Sequence, residues 1–171
     1  MRHPKVKRIT GILYPDDDLL RWSIEELTNL WGCPELIRSP VPNDKTDYYH
    51  DIAPELSRVF VCFPGLVDAG GLADWKHQAI SIEARSRQPI RAVNIDPGYV
   101  DGARLVLAST KDHAHRIYLR DGIYGEVTLR YRFKKWQSFD YTFPDFASRA
   151  YDEFLSQVRK LWLKEVKECE E

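Results

Sequence analysis

Two short stretches of the 171-residue chain concentrate the side chains that could do chemistry. The first is residues 94–99 (NIDPGY), where Asn94 and Asp96 alternate along a predicted strand and therefore share one face. The Pro97-Gly98 pair predicts a sharp turn that breaks this strand and presents Tyr99. These residues form either one wall of a ligand site or a plain Asx-type turn.

The second stretch is residues 110–116 (TKDHAHR). In a strand, Lys111, His113 and His115 share a face and Asp112 points the other way. Arg116 can bind a phosphate through two parallel hydrogen bonds, Lys111 can bind it as a point charge, and His115 can act as an acid or a base near neutral pH. This pattern favours an anionic ligand, with Asp96 or Asp112 orienting His115 or holding a divalent cation.

A metal site is a second interpretation of the same residues. Two imidazoles at positions 113 and 115 of a strand could share an ion, and Asp96, Asp112 or Glu126 could complete the ligand set. The spacing does not determine which of the three does so. Glu126 is also a candidate catalytic carboxylate, although a glutamate on the polar face of a predicted strand is more often a solvated residue than a catalyst.

A third candidate is the polar stretch of residues 43–54, which has no hydrophobic period and is predicted to be a loop. It holds Asp47, Tyr48 and Tyr49, and ligand-binding residues are often carried by loops of this kind. The alternative is that one tyrosine anchors the loop on the core.

Motifs for several function classes are absent. The sequence contains no GxxxxGK[ST], GxGxxG, GxSxG or HExxH pattern. Aromatic residues on basic strands suggest an RNA-stacking surface, but alternation places several of them on an apolar face, so we expect them in the core. These residues are Tyr118, Tyr124, Tyr131 and Phe133.

The composition is that of a globular protein. Hydrophobic residues make up 43% and charged residues 30%, which excludes intrinsic disorder, and no apolar run is long enough to cross a membrane. Three cysteines, an odd number without a CxxC pair, indicate the cytoplasm. The net charge of -1 combines -7 over residues 14–55 with +4 over residues 111–135, which predicts a cleft of both signs if the fold brings these segments together.

The hydrophobic pattern predicts one α+β domain over residues 1–171. Strands are expected near 8–14, 35–42, 57–63 and 91–100. One helix is expected to open at Asp16 and to stop at Gly32 and Pro34, and a second opens at Asp68 with Leu72, Trp75, Ala79 and Ile82 as its apolar stripe. This βαββαβ order is typical of a ferredoxin-like sandwich with two helices on one face of an antiparallel sheet. Strands at 103–110, 115–122 and 125–133, with a hairpin turn at Asp121-Gly122, and a final helix at about 147–167 extend it.

Several strings resemble a bacterial family known as domain of unknown function 4416. They are GILYPDDDLL, TDYY, VNIDPGYV, TKDHAHRIYLRDGIYGEVTLRY and YTFPDF, in this order along nearly the whole chain. Some members carry a GTP-binding label, whereas this chain has neither a P-loop nor an NKxD motif. The resemblance implies no established activity. Its pattern matches at Asp47, Tyr48, Tyr49, Asn94, Asp96, Pro97, Gly98, Tyr99, Thr110, Lys111, Asp112, His115, Arg116, Tyr118, Glu126, Pro144 and Asp145.

The sequence therefore predicts a binding site for a phosphate-bearing or other anionic small ligand, nucleotide-like in character. Phosphoester or acid/base chemistry at that site, and hence enzyme activity, is left open. The alternatives are a non-catalytic ferredoxin-like binding or assembly module, and an RNA-binding protein. Asp96, Asp112, His115 and Glu126 are the catalytic candidates, and the ligand-binding candidates are Asp47, Tyr48, Tyr49, Asn94, Tyr99, Lys111 and Arg116.

Overall fold

A computed structural model describes residues 3–42, 56–86 and 92–170. These residues form nine strands and four α-helices, which makes the protein a mixed α/β structure built on an antiparallel sheet. The strands are β1 (Lys5–Tyr14), β2 (Leu36–Pro42), β3 (Ser57–Cys62), β4 (Val67–Asp68), β5 (Asn94–Val100), β6 (Arg104–Ser109), β7 (Ile117–Arg120), β8 (Ile123–Arg132) and β9 (Lys135–Ser138). The helices are α1 (Asp17–Trp31), α2 (Leu72–Ser86), α3 (Pro144–Ala147) and α4 (Asp152–Glu170).

Helix α1 begins and ends where the sequence predicts. Asp16 is the N-cap, and its carboxylate accepts a hydrogen bond from the backbone N–H of Leu19 at 2.9 Å. Gly32 ends the helix with φ 94°, a conformation that favours glycine. Helix α2 buries Leu72, Trp75, Ala79 and Ile82, which confirms the predicted stripe, and Asp68 caps the short 3-10 turn Ala69–Gly71 that precedes it.

The strand order is β2-β3-β1-β5-β6-β8-β7, with β4 paired to β1 and β9 paired to β8. Two hydrophobic cores lie on the two faces of this sheet. One contains the apolar side chains of α1 and α2, and the other contains Tyr151, which precedes α4, and Phe154, Leu155 and Val158 of α4. Both faces at the centre of the sheet are therefore covered. Within the described residues, no helix is long and apolar enough to cross a membrane.

The predicted break at Pro97-Gly98 is wrong, because β5 runs through both residues. Pro97 pairs with Thr10 of β1, and the ladder to β6 begins only at Gly98. A Cβ atom at Gly98 would lie 2.3 Å from the backbone oxygen of Val106. The glycine thus serves close packing of two strands and not a turn.

The C-terminal elements follow the prediction in part. The β7–β8 hairpin turns at Asp121 and Gly122, with φ 51° and 77°, as the sequence predicts. Phe133 and Lys134, with φ 53° and 59°, make a second hairpin turn where the sequence predicts the end of a strand. The final helix begins at Asp152 and not at 147, because Arg149 takes φ 67° and separates α3 from α4.

Candidate functional site

A gap in the sheet between β5 and β6 creates the site. The two strands are paired only from Gly98 to Val100, although β5 begins at Asn94 and β6 continues to Ser109. Two side chains of α2 reach the β5 edge beyond the paired part. Lys76 Nζ donates to the carbonyl of Ile95 at 3.1 Å, and Glu83 accepts from the N–H of Ile95 at 2.7 Å. Side chains therefore satisfy backbone groups of β5 where the strands separate.

The gap opens into a cavity of about 380 Å³. This volume lies within the range of small-ligand sites. Its apolar wall comes from the sheet, α2 and the segment leading into α3, and includes Phe60, Ile80, Leu107, Phe143 and Phe146. Its polar wall carries four basic and four acidic side chains, which are Arg58, Lys76, Lys111, Arg116, Glu83, Asp96, Glu126 and Asp145.

The cavity wall thus carries charges of both signs, as the charge pattern of the sequence predicts, but its acidic side chains come from other segments than the one predicted. None of these four described carboxylates belongs to the acidic segment 14–55. They come from α2, β5, β8 and α3. The predicted meeting of the acidic segment with the basic strand pair is therefore not what makes the described wall acidic.

Glu126 lies at the centre of the polar wall. Its residue is 4% exposed, and Oε1 lies 3.1 Å from Arg116 Nε and 2.8 Å from His115 Nε2, while Oε2 accepts from the Thr128 hydroxyl at 2.8 Å. The sequence interpretation of Glu126 as a solvated residue is therefore wrong. The β6–β8 register skips from Leu129 to Val127, a β-bulge that turns Glu126 toward the cavity.

Hydrogen bonds from Nε and Nη1 hold the guanidinium of Arg116 in one orientation. Besides the bond to Glu126, Nη1 donates to the Ser109 hydroxyl and to the carbonyl of Lys111, both at 2.9 Å. The side chain is 6% exposed. Among the residues that the structure describes, none accepts a hydrogen bond from Nη2. Arg116 is one of the residues that line the cavity.

Two further charged groups define the other sides of the cavity. Asp96 accepts from Asn94 Nδ2 at 2.7 Å and from Lys76 Nζ at 3.2 Å. Arg58 forms a buried ion pair with Asp145 of α3, and the hydroxyl of Tyr151 also donates to that carboxylate at 3.3 Å. Burial raises the pKa of Tyr151 to about 12, which keeps this hydroxyl a donor at neutral pH.

The structure brings together five of the predicted site residues in the lining of this cavity: Asn94, Asp96, Lys111, Arg116 and Glu126. Among the described residues that line the cavity, His115 bonds Glu126 alone, and its ring stacks on Tyr141 with centroids 4.1 Å apart. The carboxylate that contacts His115 is thus Glu126 and not, as the sequence predicts, Asp96 or Asp112. The reason is that β8 lies beside the His115 segment, whereas Lys76 of α2 binds Asp96.

The remaining predicted residues lie elsewhere. Asp112 is exposed and does not line the cavity. Tyr99 packs into the core on the α1 and α2 face, and burial raises the pKa of its hydroxyl. The strand alternation that turns Asp96 to the cavity turns Tyr99 away from it. Asp47, Tyr48 and Tyr49 lie outside the described residues.

The described residues provide no ligand set for the predicted metal site. Within residues 3–42, 56–86 and 92–170, no group of three His, Cys, Asp or Glu side chains is placed to hold a metal ion. The rings of His113 and His115 stack in parallel with centroids 5.6 Å apart.

The expected core placement of the aromatic residues is wrong for two of them, since Tyr118 is 57% and Phe133 74% exposed. Tyr118 lies on the edge strand β7, and Phe133 lies in the second hairpin turn.

Sequence reasoning missed Arg58, Lys76 and Glu83. The signal for the last two is present in the helix pattern, since Lys76, Ile80 and Glu83 follow at spacings of four and three and share one face of α2. Charged residues that occur so close to an apolar stripe indicate a buried polar contact. No comparable pattern marks Arg58 in its apolar strand.

The fold and the cavity define an α+β protein with an antiparallel sheet that separates locally to form a polar cavity. The family described as Domain of unknown function (DUF4416) matches residues 4–162, nearly the whole chain. The chain belongs to that family. No curated protein matches it, and no solved structure matches it.

Proposed function

We propose that the cavity binds a small phosphate-bearing or other anionic ligand of nucleotide-like character. The observation that carries this proposal is the Nη2 edge of Arg116. It belongs to the guanidinium of Arg116, which is held by Glu126 and Ser109 and whose residue lines the cavity, and its N–H groups have no acceptor among the described residues. A guanidinium of fixed orientation can donate its two remaining Nη2 hydrogens to phosphate oxygens with little further loss of side-chain entropy.

The rest of the lining suits such a ligand. Thr110 and Lys111 lie beside Arg116 at the end of β6, where a hydroxyl and an ammonium group can bind further phosphate oxygens. The apolar wall, with Phe60 and Phe143, offers a surface for a planar or apolar part of the same molecule. Of the predicted catalytic residues, Asp96 and Glu126 line the cavity, and Asp96 is better placed for acid/base chemistry because its side chain is 28% exposed against 5% for Glu126.

Isothermal titration with pyrophosphate and with ribonucleoside monophosphates, each with and without Mg²⁺, tests the proposal. We expect at least one of these probes to bind, and Arg116→Met to weaken it about tenfold or more. The matched control is Arg130→Met, since Arg130 lies on β8 outside the lining of the cavity, where it donates to Gln137 and lies 5.7 Å from the ring centroid of Phe139. Absence of binding by every probe, or equal binding by both variants, would refute the proposal.

A non-catalytic binding or assembly module is the second candidate. It is favoured by the internal pairing of charged groups in the cavity, such as Arg58 with Asp145 and Lys76 with Asp96. If these pairs serve only stability, Asp96→Asn lowers the melting temperature and no probe raises it. A ligand site instead gives a rise in melting temperature with probe concentration.

RNA binding is the third candidate, and one exposed ring favours it. Phe133 is 74% exposed, and the guanidinium of Arg132 lies 4.6 Å from its ring centroid. Base stacking on such a ring is tolerant of sequence and accompanies strong salt dependence. Retention of a single-stranded RNA in filter binding at low salt, lost in Phe133→Ala, supports it, and no retention at low salt excludes it.

We also propose that residues 5–100 form a ferredoxin-like unit within the larger sheet. The order β2-β3-β1-β5, with α1 and α2 sharing one core, supports this assignment. The cytoplasm is the proposed compartment. Its support is that Cys33, Cys62 and Cys169 are all free thiols, two of them exposed.

A further inference from the structure

The two-residue turn between β8 and β9 carries side chains that such a turn disfavours. Arg132 pairs with Lys135 across the hairpin, so Phe133 and Lys134 alone form the loop, with φ 53° and 59°. Loops with positive φ at both positions favour Asn-Gly, because a bulky side chain is strained in this conformation. Both side chains of the loop are exposed, so packing against the core does not explain them. Strain of this kind is typical of functional positions.

Two pairs of like charges lie next to this turn. Arg132 is directly opposite Lys135 on β9, and Arg130 is directly opposite Arg104 on β6. Like charges in directly opposite positions share a face of the sheet and are destabilising. Since Arg130 and Arg132 are two residues apart on one strand, all four side chains lie on the same face. All four are exposed.

Acidic side chains offset little of this charge. Arg104 has one carboxylate partner, Asp101, at 3.4 Å. The opposite face of the hairpin is apolar, since Trp136 and Tyr131 pack there into the core that α4 shares. The hairpin thus presents a cationic face to solvent. In the described part of the chain, no carboxylate forms an ion pair with the cations of the hairpin itself, which are Arg130, Arg132, Lys134 and Lys135.

We propose that this cationic face and the exposed ring at its tip bind single-stranded RNA. Phosphate groups of the strand neutralise the two like-charged pairs, which removes the repulsion that they cause in the free protein. The ring of Phe133 is 74% exposed, and the guanidinium of Arg132 lies 4.6 Å from its centroid. Such a ring stacks on an unpaired base, and the base-stacking energy is tolerant of sequence. The strained turn is therefore explained by the ring that it exposes.

A flexible polyanion fits this surface better than a membrane does. Arg130 lies three residues from Phe133, about 10 Å along the strand, and Arg104 lies beside it. A bilayer that takes up the ring leaves these two cations behind, whereas a single strand of RNA can follow the whole row. Binding here rests on the RNA candidate above and uses no described residue that lines the cavity of Arg116.

Fluorescence anisotropy of a labelled oligouridylate over a series of KCl concentrations tests the proposal. We expect Phe133→Ala to weaken binding about tenfold. Arg132→Gln with Lys135→Gln should lower the slope of log K against log [KCl] by about 1.4, since each phosphate contact on a single strand contributes about 0.7. The matched control, Arg21→Gln with Lys160→Gln, removes two exposed cations from α1 and α4 and should leave the slope unchanged.

Phe133→Asn with Lys134→Gly separates RNA binding from a structural role of the turn. The substitutions introduce the turn sequence that this backbone favours, so we expect a higher melting temperature together with RNA binding weakened about tenfold or more. A structural role would instead give a lower melting temperature. Either a lower melting temperature or an unchanged RNA affinity in this variant would overturn the proposal.

The same measurements distinguish failure at this surface from failure of the other candidates. No binding of the oligouridylate at low salt overturns both this surface and the RNA candidate, whereas binding that no hairpin variant weakens overturns the surface alone. Equal affinity for duplex RNA also overturns it, because a paired base offers no free face to Phe133. Sedimentation with phosphatidylserine vesicles that depends on Phe133, in place of RNA binding, does so in favour of a membrane. Arg116→Met should leave RNA binding unchanged, so the small-ligand proposal is tested separately.

Discussion

Replacing Glu126 by Gln tests whether this buried carboxylate holds the cavity together. The substitution keeps the shape of the side chain and removes its charge. The Glu126 and Arg116 side chains are 5% and 6% exposed, and removing one partner of a buried ion pair costs about 3–5 kcal/mol. Gln retains one acceptor oxygen, and Arg116 keeps its hydrogen bonds to the Ser109 hydroxyl and the Lys111 carbonyl. We therefore expect a loss of about 2–4 kcal/mol in the free energy of unfolding.

Urea unfolding followed by tryptophan fluorescence measures this loss, and thermal unfolding should show a melting temperature lower by about 5–15 °C. The matched control is Glu25→Gln, which removes a carboxylate from the exposed face of α1 and should change stability by less than about 0.5 kcal/mol. Ligand binding should weaken together with stability, because Glu126 orients the guanidinium that faces the ligand.

A double-mutant cycle isolates the pair. If Glu126 acts through Arg116, Glu126→Gln in an Arg116→Met background should cost at least about 1 kcal/mol less than it does alone. A loss of stability in Glu126→Gln no larger than that in Glu25→Gln would refute the structural role of this ion pair. Additive effects of Glu126→Gln and Arg116→Met would refute it too, since the 3.1 Å contact between Oε1 and Nε would then contribute nothing measurable.

Three further predictions concern the fold. Gly98→Ala should destabilise the protein by about 3 kcal/mol or more in urea, because its Cβ would lie 2.3 Å from a backbone oxygen of β6, whereas Gly125→Ala, with no atom nearer than 3.6 Å, should not. Burial acts to lower the pKa of Lys7, but its hydrogen bonds to two glutamates outweigh burial and raise the pKa. The charged Lys7 therefore contributes its full share of the free energy of unfolding below pH 10.5, and this share is lost as the pH rises through the raised pKa. The wild type should thus lose stability above pH 10.5 more steeply than Lys7→Met, and equal slopes in pH-dependent urea unfolding would contradict this. Burial raises the pKa of Cys62 to about 12, so a thiol reagent at neutral pH should label the two exposed cysteines quickly and reach Cys62 only after denaturation; fast labelling of all three would show that the core opens.

Local patterns in the sequence were sufficient wherever one element determines its own form. The N-cap Asp16, the apolar stripe of α2 and the Asp121-Gly122 turn are each encoded within a few residues, and the structure confirms them. The predicted break at Pro97-Gly98 fails because the same dipeptide also suits a strand whose neighbour approaches closely. The sequence gives no sign of which role applies, since the neighbouring atom belongs to Val106 on another strand.

For the candidate site too, local sequence patterns determine one part and the tertiary structure determines the other. The sequence by itself determined that Asn94, Asp96, Lys111, Arg116 and Glu126 are unusual polar residues in or beside strands, because polarity and period are local properties. Only the tertiary structure decided that they share one cavity while Tyr99 and Asp112 do not. The separation of β5 from β6, the reach of Lys76 and Glu83 into that gap, and the bulge that buries Glu126 all depend on register between strands. Register is set by packing across the whole sheet, and a shift of one residue turns a side chain to the opposite face.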